Sequence, residues 1–278
     1  MPVSGHRVSM LIARAAEPRG VVLALHGGNS GKEYFDSPMD PSLSLLRLGP
    51  LLGFTVVAPD RPGYGSATSA GELSADARTS LTYAALDAAT AGSSTGGGVF
   101  VLAHSAGSPT ALRMAAAERG RELLGVEVSG SGLRYSAAAQ ALASAGLKQL
   151  DPPSLGRLIW GPDELYPPGT RQAVTGRTGP ASEAGDARGW TAEFPRLAAR
   201  VAVPVRYTLA EHETWWWSGR EVLAEVGDLF TAAPVVETAY ETGGGHNLSL
   251  GWTARAYHLR VLAFAERCLA RRAMGGRR

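Results

Sequence analysis

The sequence predicts an α/β fold in which a mostly parallel sheet is covered by helices on both faces. Short and nearly unbroken apolar runs recur at residues 21–25, 54–58 and 99–103. Strands buried on both faces read this way, whereas half-solvated strands alternate. Longer helical segments separate these runs, at 41–52, 74–89 and 108–119. Strands that alternate with helices build parallel sheets.

Each element follows in chain order. Residues 8–16 read as a first strand, and 21–25 as a second that ends in His26-Gly27-Gly28. After the helical stretch 41–52, the strand 54–58 runs out at Asp60. Ser74 suits the N-cap of the next helix, since its hydroxyl can accept from a first-turn N–H. A Gly/Ser/Thr-rich loop at 91–98 precedes strand 99–103, which leads straight into Ser105. Helix 108–119 and strand 123–128 follow, the latter ending in Ser129-Gly130-Ser131-Gly132. Residues 133–200 break the alternation: an Ala-rich helix at 136–147 gives way to prolines and scattered aromatics. The pattern resumes with strand 203–209, helix 218–230, strand 235–240 and a long amphipathic helix at 252–272. No internal repeat is present, and the basic tail 271–278 reads as a solvated end.

Bulk properties narrow the function classes. The chain has 278 residues, 45% hydrophobic and 19% charged, enough for one large domain with a substantial core. A net charge of +2, with basic residues scattered outside the tail, argues against a nucleic-acid partner. Cys268 is the only cysteine, so neither an intrachain disulfide nor a thiolate metal cluster can form; it reads as an apolar filler. No run of ~18 apolar residues appears. The expected setting is cytosolic and away from membranes, with a small-molecule substrate. A homodimer is compatible with the sequence, and no metal or organic cofactor is implied.

The chemistry centres on Ala103-His104-Ser105-Ala106-Gly107. A strand leads in and a helix leads out. A serine on such a turn projects from the sheet edge beside a helix N-terminus, and its neighbours must be small because strand and helix approach closely. The common pattern is G-x-S-x-G, with Ala103 replacing the first glycine here. Read blandly, the same residues make an ordinary strand-to-helix turn. His26-Gly27-Gly28 after an earlier buried strand adds to the functional reading: the Gly28 N–H, with that of Ala106, can form an oxyanion hole. The His26 side chain reads as structural. His246 lies in Gly243-Gly244-Gly245-His246-Asn247 after the last predicted strand, where three glycines can bring an imidazole to the sheet edge. It is the candidate general base. His258 falls within a helix, His6 is terminal, and His104 points off the turn. An imidazole in that role needs an acid. Glu211 and Glu213 both follow strand 203–209, and residue chemistry alone leaves them equal.

The order Ser105, glutamate, His246 resembles that of the α/β-hydrolase fold superfamily. Asp60-Arg61-Pro62-Gly63-Tyr64-Gly65 is similar to that family's D-x-x-G-x-G turn, although Ala67 stands where a serine often follows. The likeness covers nearly the whole chain outside 133–200. It implies an α/β-hydrolase fold, with residues 1–132 and 201–278 as the core and residues 133–200 as a helical cap between the family's sixth and seventh strands. Laid on the family's G-x-x-D, Ala210 takes the glycine and Glu213 the acid, which places Glu213 ahead of Glu211. Ser105 at the nucleophile position disfavours the branches that use an aspartate.

Trp160 and Trp190 in the cap, and Trp215 just after the proposed acid, are candidate walls of an apolar acyl pocket. Packing of the cap onto the core, or a dimer contact, is the simpler account of each one taken singly. The resulting expectation is a serine hydrolase acting on an ester or thioester of an apolar or aromatic acyl group. Acyl transfer, cyclisation or lyase chemistry on the same scaffold is the alternative, followed by a non-catalytic small-molecule binding protein.

Overall fold

The computed structural model describes residues 1–145 and 152–275. The last two residues of the expected helix 136–147 and the last three of the basic tail lie outside them. A short hairpin of β1 (Pro2–Val3) and β2 (His6–Arg7) precedes the main sheet, an element too short to leave a periodic signal. The sheet has seven strands: β3 (Met10–Ala13), β4 (Gly20–Leu25), β5 (Phe54–Pro59), β6 (Val99–His104), β7 (Gly125–Ser129), β8 (Val205–His212) and β9 (Val236–Gly245). Their spatial order is β3-β5-β4-β6-β7-β8-β9, and every pairing is parallel except β3 with β5.

Two-sided burial explains the unbroken apolar runs. On β4, Val21, Leu23 and Leu25 enter one core layer, while Val22 and Ala24 enter the other. Both layers are roofed by helices. α2 (Ala75–Thr90), α3 (Ser108–Ala116) and α8 (Arg220–Leu229) lie over the first layer, through residues such as Leu86, Leu112 and Val226. α1 (Leu45–Leu51) and α9 (Ala254–Gly275) cover the second through Leu48 and Phe264. Ser74 caps α2, its hydroxyl accepting from the Ala77 N–H at 3.2 Å.

Topology fixes where the site must lie. From β4 the chain moves outward to β5, then crosses back so that β6 pairs with the other side of β4. The loops leaving β4 and β6 therefore part in opposite directions. Open α/β sheets form their ligand crevice at such a switch point, beyond the carboxyl ends of the strands. Leu25 pairs with Ala103, and His104 with Ser129, so these three strands end level with one another.

The family's sixth and seventh strands are β7 and β8 here. Between them lie α4 (Ala137–Ala145), α5 (Pro152–Trp160), α6 (Thr170–Val174) and α7 (Ala181–Ala198). They do not form one separate layer. Trp190, Phe194 and Leu197 of α7 join the core beneath the sheet. β7 and β8 are also tied by a buried ion pair, Arg206 to Glu127 at 3.1 Å, on the α9 side, where Tyr257 Oη donates to Glu127 at 3.0 Å. That network fixes the strand from which the acid of the site emerges.

Candidate active site

Ser105 stands at the turn from β6 to α3 with φ +49°, a left-handed conformation for a non-glycine residue. Such strain costs on the order of 1–3 kcal/mol and is typically held by surrounding structure at functional sites. The packing that holds it is specific. A Cβ at Gly107 would stand 2.6 Å from the Leu25 carbonyl oxygen and 2.8 Å from that of His26. Only glycine lets α3 start this close to β4. Ala103, buried on β6, replaces the other glycine of the motif without disturbing the strand.

Ser105 Oγ is 3.1 Å from His246 Nε2. His246 Nδ1 lies 2.7 and 3.0 Å from the two carboxylate oxygens of Glu213. The imidazole is therefore held with its proton on Nδ1, donating to Glu213, which leaves Nε2 free to accept from the serine. Glu213 is buried and accepts two further bonds, from the N–H groups of Trp215 (2.9 Å) and Trp216 (3.3 Å). Its negative charge is thus stabilised away from bulk water.

Gly27 and Gly28 follow β4 on the other side of the crevice. A Cβ on Gly28 would lie 3.8 Å from the Ala106 Cβ, so the two chain segments whose N–H groups were expected to form an oxyanion hole are neighbours. His26 secures the first of them. Its Nδ1 is 2.8 Å from the Gly27 carbonyl, and its Nε2 accepts from the Arg61 N–H at 3.0 Å. Burial, helped by the Arg61 charge, pushes its pKa down to about 3, so it is a neutral structural group. Asp60 extends the same brace, accepting from the Lys32 N–H at 2.9 Å and from the Ser9 hydroxyl.

A cavity of about 190 Å³ opens over Ser105, with predominantly apolar walls. Trp190, Trp215, Trp216, Tyr135 and Pro109 provide much of that surface. Two carboxylates, Glu183 and Asp186, also reach it. Each is neutralised from behind: Glu183 by Arg61 at 2.6 Å, with the Tyr64 hydroxyl also donating to it at 2.6 Å, and Asp186 by Arg78 at 2.5 Å.

The sequence matches the alpha/beta hydrolase family across residues 21–263. The chain belongs to that family. Solved structures agree on the fold. This hydrolase is similar to a monoacylglycerol lipase of Paleococcus ferrophilus (TM-score 0.66, 18% identity, covering 95% of this chain and 99% of that one). It is similar to a thermostable carboxyl esterase of Bacillus coagulans (TM-score 0.64, 17% identity, 97% of both chains). It is also similar to an enzyme solved for recognition and ring-cleavage of the Pseudomonas quinolone signal (TM-score 0.69, 18% identity, 97% and 98%). Among curated proteins no sequence match was found. Among the described residues of the hydrolase, no helix is long and apolar enough to cross a membrane.

Of the residues singled out from the sequence, Ser105, His246, Glu213, Gly28, Ala106, Trp190 and Trp215 meet around one cavity or directly behind it. Trp160 does not line it. That ring packs edge-on against Tyr166 in the second core layer, 5.0 Å between centroids, and borders a neighbouring cavity. Glu211 is also separate: its carboxylate is exposed and accepts from the Gly243 N–H at 2.7 Å. His104 is buried against Tyr34 and His246, with ring centroids 5.0 and 4.8 Å away. Burial, then the neighbouring His246, pushes its pKa well below the ordinary value. It therefore supports His246 as a neutral wall. Tyr135 was not singled out from the sequence, and Trp216 only as a member of the run Trp215-Trp216-Trp217. They stack at 4.5 Å, and the Trp216 indole donates to the Gly130 carbonyl at 2.9 Å. The Trp run was visible in the sequence, but which of its members faces the cavity was not.

Proposed function

We propose that this hydrolase cleaves an ester or thioester of an apolar or aromatic acyl group through a Ser105–His246–Glu213 triad. The observation that carries this reading is the continuous hydrogen-bonded chain from Glu213 through both imidazole nitrogens to Ser105 Oγ, beneath an apolar cavity. Ser105 Oγ attacks the carbonyl carbon while His246 Nε2 takes its proton. The carbonyl oxygen becomes an oxyanion facing the N–H groups of Gly28 and Ala106. Collapse of the tetrahedral intermediate breaks the bond to the leaving group, which departs with the proton from Nε2. Water then attacks the acyl-serine, giving up a proton to the same nitrogen; collapse of the second intermediate breaks the acyl bond to Ser105 Oγ, which takes that proton back as the carboxylic acid leaves. Glu213 keeps the imidazole oriented and stabilises the imidazolium without taking its proton.

Cavity size adds to the substrate class. A volume of 190 Å³ is below the roughly 300–1,000 Å³ of drug-sized sites, which favours a short or single-ring acyl group. The residues between β7 and β8 act in this reading as a cap that selects the acyl group, and the protein works in the cytosol. The deciding experiment is labelling with a fluorophosphonate followed by peptide mass spectrometry. The adduct is expected on Ser105 and absent in Ser105→Ala, which should fold normally yet lose turnover of phenyl butanoate. An adduct elsewhere, or turnover retained in the variant, would refute the triad.

A further inference from the structure

A second cavity, of about 370 Å³, adjoins the first. Gly28, Asn29, Ile159 and Asn247 border both, so the two meet at the proposed oxyanion segment and at the residue after His246. Their linings differ in kind. The first is walled by indoles. The second presents Arg171 and Arg177, with Thr175, Thr178 and Ser30 nearby.

The two arginines are seated by glycines. A Cβ on Gly156 would fall 1.7 Å from an Arg171 guanidinium nitrogen, and one on Gly31 would fall 2.5 Å from Arg177 Nε. Gly156 sits inside α5, where a glycine ordinarily costs about 0.5–1 kcal/mol relative to alanine. Its lack of a side chain is what lets the Arg171 head lie against that helix. The charge balance there is unequal. Arg177 pairs with Glu33 at 2.8 Å, and Glu33 also holds Lys32 at 3.0 Å. Arg171, half-buried at the start of α6, has no carboxylate within ion-pair distance among the described residues. Asp163 lines a separate cavity on the other side of Arg171 and forms no ion pair with it.

We infer that this basic cavity binds an oxyanionic group, a carboxylate or a phosphate, on the leaving-group half of the substrate, with Arg171 as its principal contact. The inference rests on the hydrolase reading above. If the acyl group fills the indole-walled cavity, the rest of the substrate must leave past Asn247, next to the imidazole that protonates it. That path opens into the arginine cavity. A guanidinium presents paired N–H donors that match the two oxygens of a carboxylate or phosphate. The carboxylates of the first cavity cannot play the converse role for a cation, because Arg61 and Arg78 already neutralise them.

The test compares four butanoate esters that share one acyl group. Their leaving groups are phenol, 4-(methoxycarbonyl)phenol as the neutral isostere, 4-carboxyphenol, and 4-(phosphonooxy)phenol. At low salt the wild type should favour the carboxylate or the phosphate ester over the isostere by at least tenfold in kcat/KM, and the larger ratio identifies the anion. Arg171→Gln should bring that ratio close to one. Arg171→Lys should restore part of it, and added salt should lower it in wild type. Circular dichroism and fluorophosphonate labelling of Ser105 report whether each variant is folded and active. A wild-type ratio near one, or a ratio unchanged in labelled Arg171→Gln, overturns the anion site and leaves the hydrolase reading intact. Loss of labelling in the wild type would instead remove the hydrolase reading.

Discussion

Glu211 and Glu213 are two residues apart, so simple strand alternation would point both carboxylates the same way. The register between β8 and β9 shifts between Ala210 and His212. Such irregularities re-aim side chains, and the two glutamates end up with different partners. Glu213 reaches His246 Nδ1, while Glu211 takes the Gly243 N–H. Glu213→Gln should therefore lower kcat by at least roughly a hundredfold, because the imidazolium loses its charged partner. Glu211→Gln keeps an acceptor for Gly243 and should change kcat less than about threefold, as expected of an exposed polar group. Steady-state kinetics on phenyl butanoate with both variants measures the contrast. The reverse ranking would mean that Glu211 supplies the acid. At the same scale, the glycines before His246 divide their roles: Gly243 takes a left-handed φ of +72° where β9 shifts register against β8, and Gly245 serves close packing, since a Cβ there would lie 2.3 Å from the Tyr166 hydroxyl.

Among the elements, α5 and α7 carry Trp160 and Trp190 to different places. Trp190 on α7 stacks on Phe194 at 4.8 Å and lines the cavity over Ser105, whereas Trp160 ends α5 on the other side of Ile159. Acyl selectivity should follow this split. For a series of aryl esters, kcat/KM should rise with acyl length, each buried methylene adding about 0.8 kcal/mol, and then drop once the cavity is full. Trp190→Ala should move the optimum to longer acyl groups. Trp160→Ala should leave it in place, even if stability falls by the roughly 3–5 kcal/mol typical of a large core truncation. A chain-length series on wild type and both variants, read beside Ser105 labelling, checks this. An optimum that shifts with Trp160 and not with Trp190 would show that the cavities are assigned the wrong way round.

For the molecule as a whole, three imidazoles are buried in neutral form. Burial pushes His26 and His258 down to about 3, and it pushes His104 well below the ordinary value of 6.5. The unfolded chain binds these protons near pH 6.5 and the folded protein does not, so stability rises with pH across that window. Their contribution is complete above about 6.5 and is lost as pH falls toward the folded-state values. With three such groups the slope approaches about 4 kcal/mol per pH unit on the acid side, before the carboxylates add to it. Urea unfolding at pH 7.5, 6.5 and 5.5 should show this loss, and His258→Leu should reduce the slope by about one proton. A wild-type profile flat between 6.5 and 5.5 would contradict the neutral burial of these rings.

The fold class, the order of most strands and helices, and the seryl turn were legible in the sequence because each depends on local rules. Two-sided burial writes continuous apolar runs, a strand-to-helix turn demands small residues at 103 and 107, and Ser74 caps the helix it precedes. Ser105, Gly28 and His246 could be named because each closely follows a strand that ends at the same sheet edge. The short β1–β2 hairpin escaped notice, since two-residue strands carry no period. What only the tertiary structure decided was which side chains meet. The family resemblance already placed Glu213 ahead of Glu211, but why the two carboxylates find different partners depended on a register shift, which sequence spacing does not encode. The division of tryptophans between two cavities depended on how α5 and α7 settle over the switch point. The basic cavity depended on two glycines, far apart in sequence, that each make room for an arginine. Packing across distant segments decides such contacts, and no local pattern of residues records it.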